Sequence, residues 1–270
     1  MSKLLNGLRS VFSLLCVAAL FMAGSVVLRL VVLPRYWLHP ERRFHLVSVY
    51  MKWMARWIFN FLSLGGARVR RSGTVPTESP AVIVANHQSL LDILQVTLLA
   101  EPFVPAFVAR KRYARFVPLV SESIRMLGCP LVDPKADPRG ALPALREGAR
   151  RLPHGILIFP EGHRSRDGEI LPFRRAGLQA LLAEKRVPVY LAVGDGLWKG
   201  GRFLDLLFRV HEIDACTEAF GPFDPPADPA QLPRFVNQLR ERMVERLRAI
   251  RALRADSRAR AAERSLPVGS

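Results

Sequence analysis

At 270 residues the chain is long enough for one sizeable domain, or a domain with appendages, and for an ample core. Its formal net charge of +17 points to anionic partners (a membrane surface, nucleic acid or a phosphorylated substrate) and says nothing of fold. Three widely spaced cysteines, Cys16, Cys129 and Cys216, form neither a disulfide framework nor a CxxC metal pair and fit a reducing compartment.

No residue from Ser10 to Leu28 is charged, and after Arg29 the apolar run continues as "LVVLP". That length suits a membrane-spanning helix, with Arg29 snorkelling to the headgroups. The small residues of "FMAGS" would also suit a signal-peptide cleavage site, but the apolar stretch runs past them to Leu33, which favours an uncleaved anchor. Arg29, Arg35, Arg42 and Arg43 follow the segment, against Lys3 and Arg9 before it. The positive-inside rule then places the rest of the chain on the cytoplasmic face of the inner or plasma membrane. Next, His45, Ser48, Lys52, Arg56, Asn60 and Ser63 recur every three or four positions from Phe44 to Leu64 and draw one polar stripe along a helix. Tyr50, Trp57 and Phe61 lie between them, a pattern for a helix in the membrane interface; a helix packed on a core has the same period.

After Gly65 and Gly66 short apolar runs alternate with helical stretches. Strands are predicted at Ala67–Arg71, Ala81–Ala85, Ala106–Ala109, Gly155–Phe159, Val187–Val193 and Phe208–Ile213, and helices at Leu90–Leu99, Leu142–Leu152 and Ala176–Lys185. Alternation of this kind predicts an α/β fold, a largely parallel central sheet flanked by helices, preceded by N-terminal membrane-anchoring helices. Pro222, Pro225, Pro226 and Pro229 break the pattern before a long helix from Pro233 to about Arg254, with a frayed tail beyond. Three regions follow: a membrane anchor and interfacial helix over 1–66, a central α/β domain over 67–221, and a basic helix and tail over 222–270. In the last helix seven arginines from Arg234 to Arg254 face only Glu241 and Glu245. With Phe235 the one aromatic among them and no nucleic-acid module before them, the predicted role is a solvated face or one resting on anionic lipid, not nucleic-acid binding.

The apolar run "VIVA" ends in Asn86, His87, Gln88 and Ser89, with Asp92 close behind. A neutral imidazole can accept a proton near neutral pH, and a carboxylate on its other nitrogen fixes its tautomer. His87 at a strand end and Asp92 one turn into the next helix could meet in this way. A second apolar run, "GILIF", ends at Pro160 and leads into Glu161, Gly162, His163, Arg164, Ser165 and Arg166. The carboxyl ends of parallel strands lie on one side of a sheet, where ligands bind. There the planar fork of Arg164 is a candidate phosphate ligand and Glu161 a candidate orienter for it.

"NHQSLLD" and "FPEGHRS" resemble the NHx4D and FPEGTR motifs of the glycerolipid acyltransferase family, of the 1-acylglycerol-3-phosphate type. The middle block "ARKRYARFVPLVSESIRMLGCPLVDP" and the later "RVPVYLAV" resemble two further blocks of that family, so the resemblance runs from about Ala81 to Val193. It implies transfer of a fatty acyl group from an acyl-CoA or acyl-carrier-protein thioester to the free hydroxyl of a lysophospholipid at a membrane, with no metal and no cofactor. By the same resemblance His87 is the general base and Asp92 its orienter, and Asn86, Lys111, Glu161, Gly162 and Arg164 bind substrate. No covalent acyl-enzyme is expected, since neither a GxSxG elbow nor a His-paired cysteine is present. Donors to the thioester oxyanion are expected among the amides at the start of the helix after His87.

Three departures bear on the acceptor. His163 replaces the usual threonine; Pro134 stands where an arginine is expected, with Lys135 or Arg139 as substitutes; and Leu191 replaces a proline. They leave open acylation of another lysolipid, such as a lyso-aminolipid. Two other classes also stay open at this stage. A metal-dependent hydrolase would gather His87, Asp92, Glu161 and His163 around one ion, and a non-catalytic scaffold would need none of them.

Overall fold

A computed structural model describes residues 2–133, 136–137, 140–151, 153–200 and 209–264. Its N-terminal part is a helical hairpin. Helix α1 (Ser2–Val27) passes through a π-helical turn (Leu28–Val32) into α2 (Leu33–Leu38), and α3 (Arg43–Leu64) returns alongside α1. Polar atoms fasten the pair: Ser13 Oγ donates to the Phe61 carbonyl at 2.7 Å, and Tyr50 donates to the Gly24 carbonyl at 3.0 Å. The helix ends in a Schellman motif, because Gly66 takes the left-handed conformation (φ 96°) while its amide and that of Ala67 close on the Ser63 and Leu62 carbonyls.

The polar stripe predicted along this helix divides. Ser48 and Lys52 turn inward, where Ser48 Oγ accepts the Val104 amide at 2.9 Å and Lys52 Nζ reaches Glu101 at 2.6 Å and the Pro102 carbonyl at 2.9 Å. Val49, Trp53, Trp57, Arg56 and Asn60 face outward instead. The inward face is packed on the rest of the chain, and aromatic and polar residues share the outer one. The stretch Leu4–Leu38 is long and apolar enough to cross a membrane, and many of its large apolar side chains, Leu8, Phe12, Met22 and Leu30 among them, are exposed.

A six-stranded sheet follows, made of β1 (Arg68–Ser72), β3 (Ala81–Ala85), β5 (Ala106–Phe107), β8 (Gly155–Ile158), β9 (Val189–Asp195) and β10 (Asp214–Phe223), in the order β1-β10-β9-β3-β8-β5. β9, β3, β8 and β5 are parallel; β1 and β10 run together in the opposite sense. Short pairs outside it join β2 (Val75–Pro76) to β4 (Ala100–Glu101) and β6 (Ala109–Arg110) to β7 (Leu131–Val132). Every residue of β3 and β8 is buried, as an unbroken apolar strand covered on both faces must be. β1, with arginines at three of its five positions, is an exposed edge. α4 (Leu91–Leu99) packs with α3 and β1, and α5 (Val120–Met126) leads toward β7. α6 (Ala141–Arg151), α7 (Arg175–Glu184) and α8 (Leu232–Arg264) pack in series, with α8 against β9.

The α/β fold with a mostly parallel sheet is as expected; three details are corrected. Of the strand expected at Phe208–Ile213, Phe208 lies outside the described residues and Val210–Glu212 form a 3₁₀ turn, and the strand comes next, at Asp214–Phe223. The final helix runs on to Arg264 through most of the stretch read as a frayed tail. The arginine face of α8 is solvated only in part: Arg234, Arg242 and Arg248 are exposed, and the other four arginines engage the rest of the chain. Leu232, Val236, Leu239, Met243, Leu247 and Ile250 bury one stripe, while Arg240 donates to the Ile170 and Leu171 carbonyls and Arg246 pairs with Glu218. Arg251 and Arg254 converge on Asp195 at 3.3 and 2.7 Å.

This packing makes α8 a structural element. Met243→Ala should therefore cost about 2–5 kcal/mol as a buried large-to-small change, whereas exposed Arg248→Ala should stay within about 0.5 kcal/mol. Denaturant unfolding of the two variants in detergent checks the contrast.

Candidate active site

The register of the central strands brings the two polar clusters together. Val84 pairs with Ile158, so three residues past that pair His87 stands level with Glu161. The His87 amide donates to Glu161 Oε1 at 2.8 Å, and the His87 carbonyl accepts the Ser165 amide at 2.7 Å. On the other flank Ala85 pairs with Ala192, which sets Asn86 beside Gly194; the two exchange hydrogen bonds of 2.8 Å in both directions. Buried Gln88 closes the frame, donating to the Gly168 and Gly194 carbonyls at 3.1 and 3.0 Å and accepting the Leu197 amide at 3.1 Å.

Within this frame Asp92, in the first turn of α4, meets His87. Its Oδ2 lies 2.9 Å from His87 Nδ1 and also accepts the amides of Gln88 at 2.6 Å and Ser89 at 2.8 Å. A carboxylate so placed can only accept, so the network assigns the proton to Nδ1 and leaves the Nε2 lone pair bare. Phe159 stacks on the imidazole with centroids 4.2 Å apart and fixes the plane of the ring. The same geometry already engages four of the amides around the start of the helix, where the oxyanion donors are expected. The amides of Gln88 and Ser89 serve Asp92 Oδ2, that of Leu91 serves Ser89 Oγ, and that of Asp92 serves the Ser89 carbonyl.

The remaining predicted site residues fall into two sets. Asn86 and Glu161, expected to touch substrate, are buried with their side chains directed at protein backbone; the second carboxylate oxygen of Glu161 takes the Leu171 amide at 2.9 Å. Gly162 turns left-handed (φ 75°) with its carbonyl 3.4 Å from Arg110 and the Arg174 side chain standing where a Cβ would be, while His163 and Arg164 are exposed beside it. Lys111 is bound at 3.0 Å to Asp137; its neighbour Arg110 is the residue of the middle block that reaches the Glu161–Gly162 turn. Pro134, Lys135 and Arg139 lie outside the described residues. Leu191 is fully buried in β9 between Val84 and Phe220. Sequence reasoning also missed Gln88 and Phe159, although both sit inside the quoted motifs.

The sequence matches the family described as Acyltransferase over residues 66–192, from the end of α3 into β9. Over those residues, just under half of its length, the chain is similar to the acyltransferase family. Relatives named 1-acyl-sn-glycerol-3-phosphate acyltransferase include one from Limnanthes douglasii, 28% identical over 144 residues (51% of this chain and 50% of that one). Another, from Helicobacter pylori, is 32% identical over 128 residues, 46% and 52% of the two chains. This chain thus spans about half the length of those relatives. The crystal structure of the 1-acyl-sn-glycerophosphate (LPA) acyltransferase PlsC from Thermotoga maritima has the same fold, with a TM-score of 0.71, 24% identity, and 92% and 98% of the two chains covered.

Among the described residues, no three His, Cys, Asp or Glu side chains gather as metal ligands would. Glu161 instead acts as a buried strut under the carboxyl ends of β3 and β8. Burial, chiefly, pushes its carboxyl up from an ordinary 4.5 to about 7, against the two amides that favour the charged form. A carboxyl with a raised pKa in the folded chain favours folding fully below pH 4.5 and loses that contribution as the pH rises through 7. Stability of the wild type should therefore fall between pH 5 and 8, by at most roughly 3 kcal/mol from this group. In Glu161→Gln that part of the slope should vanish, which unfolding curves at the two pH values would show.

Proposed function

We propose that the chain is an O-acyltransferase, which moves a fatty acyl group from an acyl-CoA or acyl-carrier-protein thioester to the free hydroxyl of a lysophospholipid. The default acceptor is 1-acylglycerol-3-phosphate, giving phosphatidic acid. The observation that carries this reading is the His87–Asp92 contact of 2.9 Å with Asp92 itself held by two backbone amides. Acyl transfer to an alcohol needs a base that takes one proton and returns it, and an imidazole locked in one tautomer is such a base.

In this mechanism His87 Nε2 removes the hydroxyl proton as the oxygen attacks the thioester carbonyl. The tetrahedral intermediate then collapses, the C–S bond breaks, and the imidazolium returns the proton to the departing thiolate. Asp92 stabilises the imidazolium between those steps. Arg164, exposed on the turn after β8, and Arg110, anchored to that turn, offer guanidinium groups to the acceptor's phosphate. Asn86, Glu161 and Gly162 position the strand ends rather than bind substrate. No cofactor enters this scheme.

The exposed apolar length of Leu4–Leu38 and the outward Trp53 and Trp57 support anchoring to a membrane, with the active site on its cytoplasmic face. Exposed His163, in place of a threonine, favours keeping a second acceptor class, lyso-aminolipids, in view.

The test is transfer of labelled acyl groups from acyl-CoA and from acyl-carrier protein to lysophosphatidic acid and a panel of other lysolipids, with chelator present and absent. The wild type should transfer in both conditions. His87→Ala and Asp92→Asn should each lose about 10²–10⁴-fold in kcat while keeping the wild-type circular dichroism. Transfer by a folded His87→Ala variant at the wild-type rate, or loss of transfer in chelator, would contradict the proposal.

A further inference from the structure

The segment between β6 and α5 is not used by the proposed chemistry, and its tip is unusual. Phe116 is 98% exposed and adopts φ 64°, a left-handed conformation that bulky side chains avoid; Leu119, at φ 65°, does the same three residues later. The turn beneath them is closed by hydrogen bonds. Buried Ser121 accepts the Val117 amide and donates to the Tyr113 carbonyl, each at 3.0 Å, while its own amide reaches the Val117 carbonyl at 2.8 Å. Strain of this kind persists only where the surroundings hold it, and here it is spent on turning a phenyl ring outward.

The charges around the ring share one sign. From Arg110 to Ser121 the chain carries Arg110, Lys111, Arg112 and Arg115 and no acid. Arg110 and Lys111 turn away to Gly162 and Asp137, but Arg112 and Arg115 stay exposed beside Phe116, with Arg112 over the Tyr113 ring at 4.7 Å. The segment also adjoins the apolar helix. Glu122 lies 3.4 Å from Arg29, and Tyr36 donates to the Met126 carbonyl at 3.1 Å, so α5 ties the loop to the far end of that helix.

We propose that residues 112–119 are an interfacial wedge for an anionic lipid surface: Phe116 enters the acyl boundary while Arg112 and Arg115 meet lipid phosphates. An exposed aromatic flanked by cations has the composition of a membrane-interface contact. The wedge rests on the reading of the chain as membrane-anchored, and it supplies a second point of attachment in the loop that leads into α5. A further attachment outside the helical hairpin would fix how the domain is tilted against the bilayer. The chemistry around His87 does not depend on it.

The test uses the full chain with Phe116→Trp in vesicles of phosphatidylcholine and phosphatidylglycerol, with and without bromine on the acyl chains. The parent protein's own four tryptophans are measured identically and subtracted. The added emission should be blue-shifted and lose intensity in brominated vesicles, and Arg112→Ser with Arg115→Ser should reduce that loss. A protein that floats with the vesicles but whose added emission is red and unquenched overturns the wedge and leaves the anchor standing. One that fails to float overturns the anchor and the wedge together, while acyl transfer in detergent would still report on the active site.

Discussion

Asp92 Oδ2 collects donors from His87 Nδ1, the Gln88 amide and the Ser89 amide, and the proposed active site depends on that convergence. A lone His–Asp contact at a surface would be one of many rotamers available to either side chain. Here the two amides hold the carboxylate, Phe159 holds the plane of the imidazole, and the backbone of His87 is itself held at both its amide and its carbonyl. In the proposed mechanism base and orienter are therefore placed before substrate arrives, which is the condition under which a general base contributes most.

That placement is inherited from the sheet. β3 lies between β8 and β9, and the chain first crosses to one side of β3 and later to the other, so a crevice opens at its carboxyl end. Both neighbours are bolted to the residues that leave β3: β8 through Glu161, and β9 through Asn86 and Gln88. The cost is the burial of a carboxyl group. The raised pKa of Glu161 records it, and it connects the integrity of the strand ends to pH near neutrality.

Much of this was legible in the sequence, for identifiable reasons. His87 and Asp92 are five residues apart at a strand-to-helix turn, so local geometry alone brings them together. The apolar runs of β3 and β8 have the length and continuity of covered parallel strands. What could not be read depends on partners distant in the chain. Asn86 finds Gly194 and Gln88 finds Leu197, more than a hundred residues away, so motif position alone could not distinguish a strut from a substrate ligand. Arg110 and Lys111 are adjacent, and only the path of the chain out of β6 decides which one meets the Gly162 turn. In α8 the stripe from Leu232 to Ile250 was visible, but the arginines outnumbered it, and their acidic partners lie in β9, β10 and the loop after β8.

The central claim, that Asp92 holds His87 with the proton on Nδ1 and Nε2 free to act as base, is most directly tested by nitrogen NMR of histidine-labelled protein in detergent. The His87 signal would be assigned by its loss in His87→Ala. The account predicts a protonated Nδ1 and a bare Nε2 in the resting protein, and a mixture of tautomers in Asp92→Asn. A proton on Nε2 in the wild type, or a tautomer unaffected by Asp92→Asn, would contradict it.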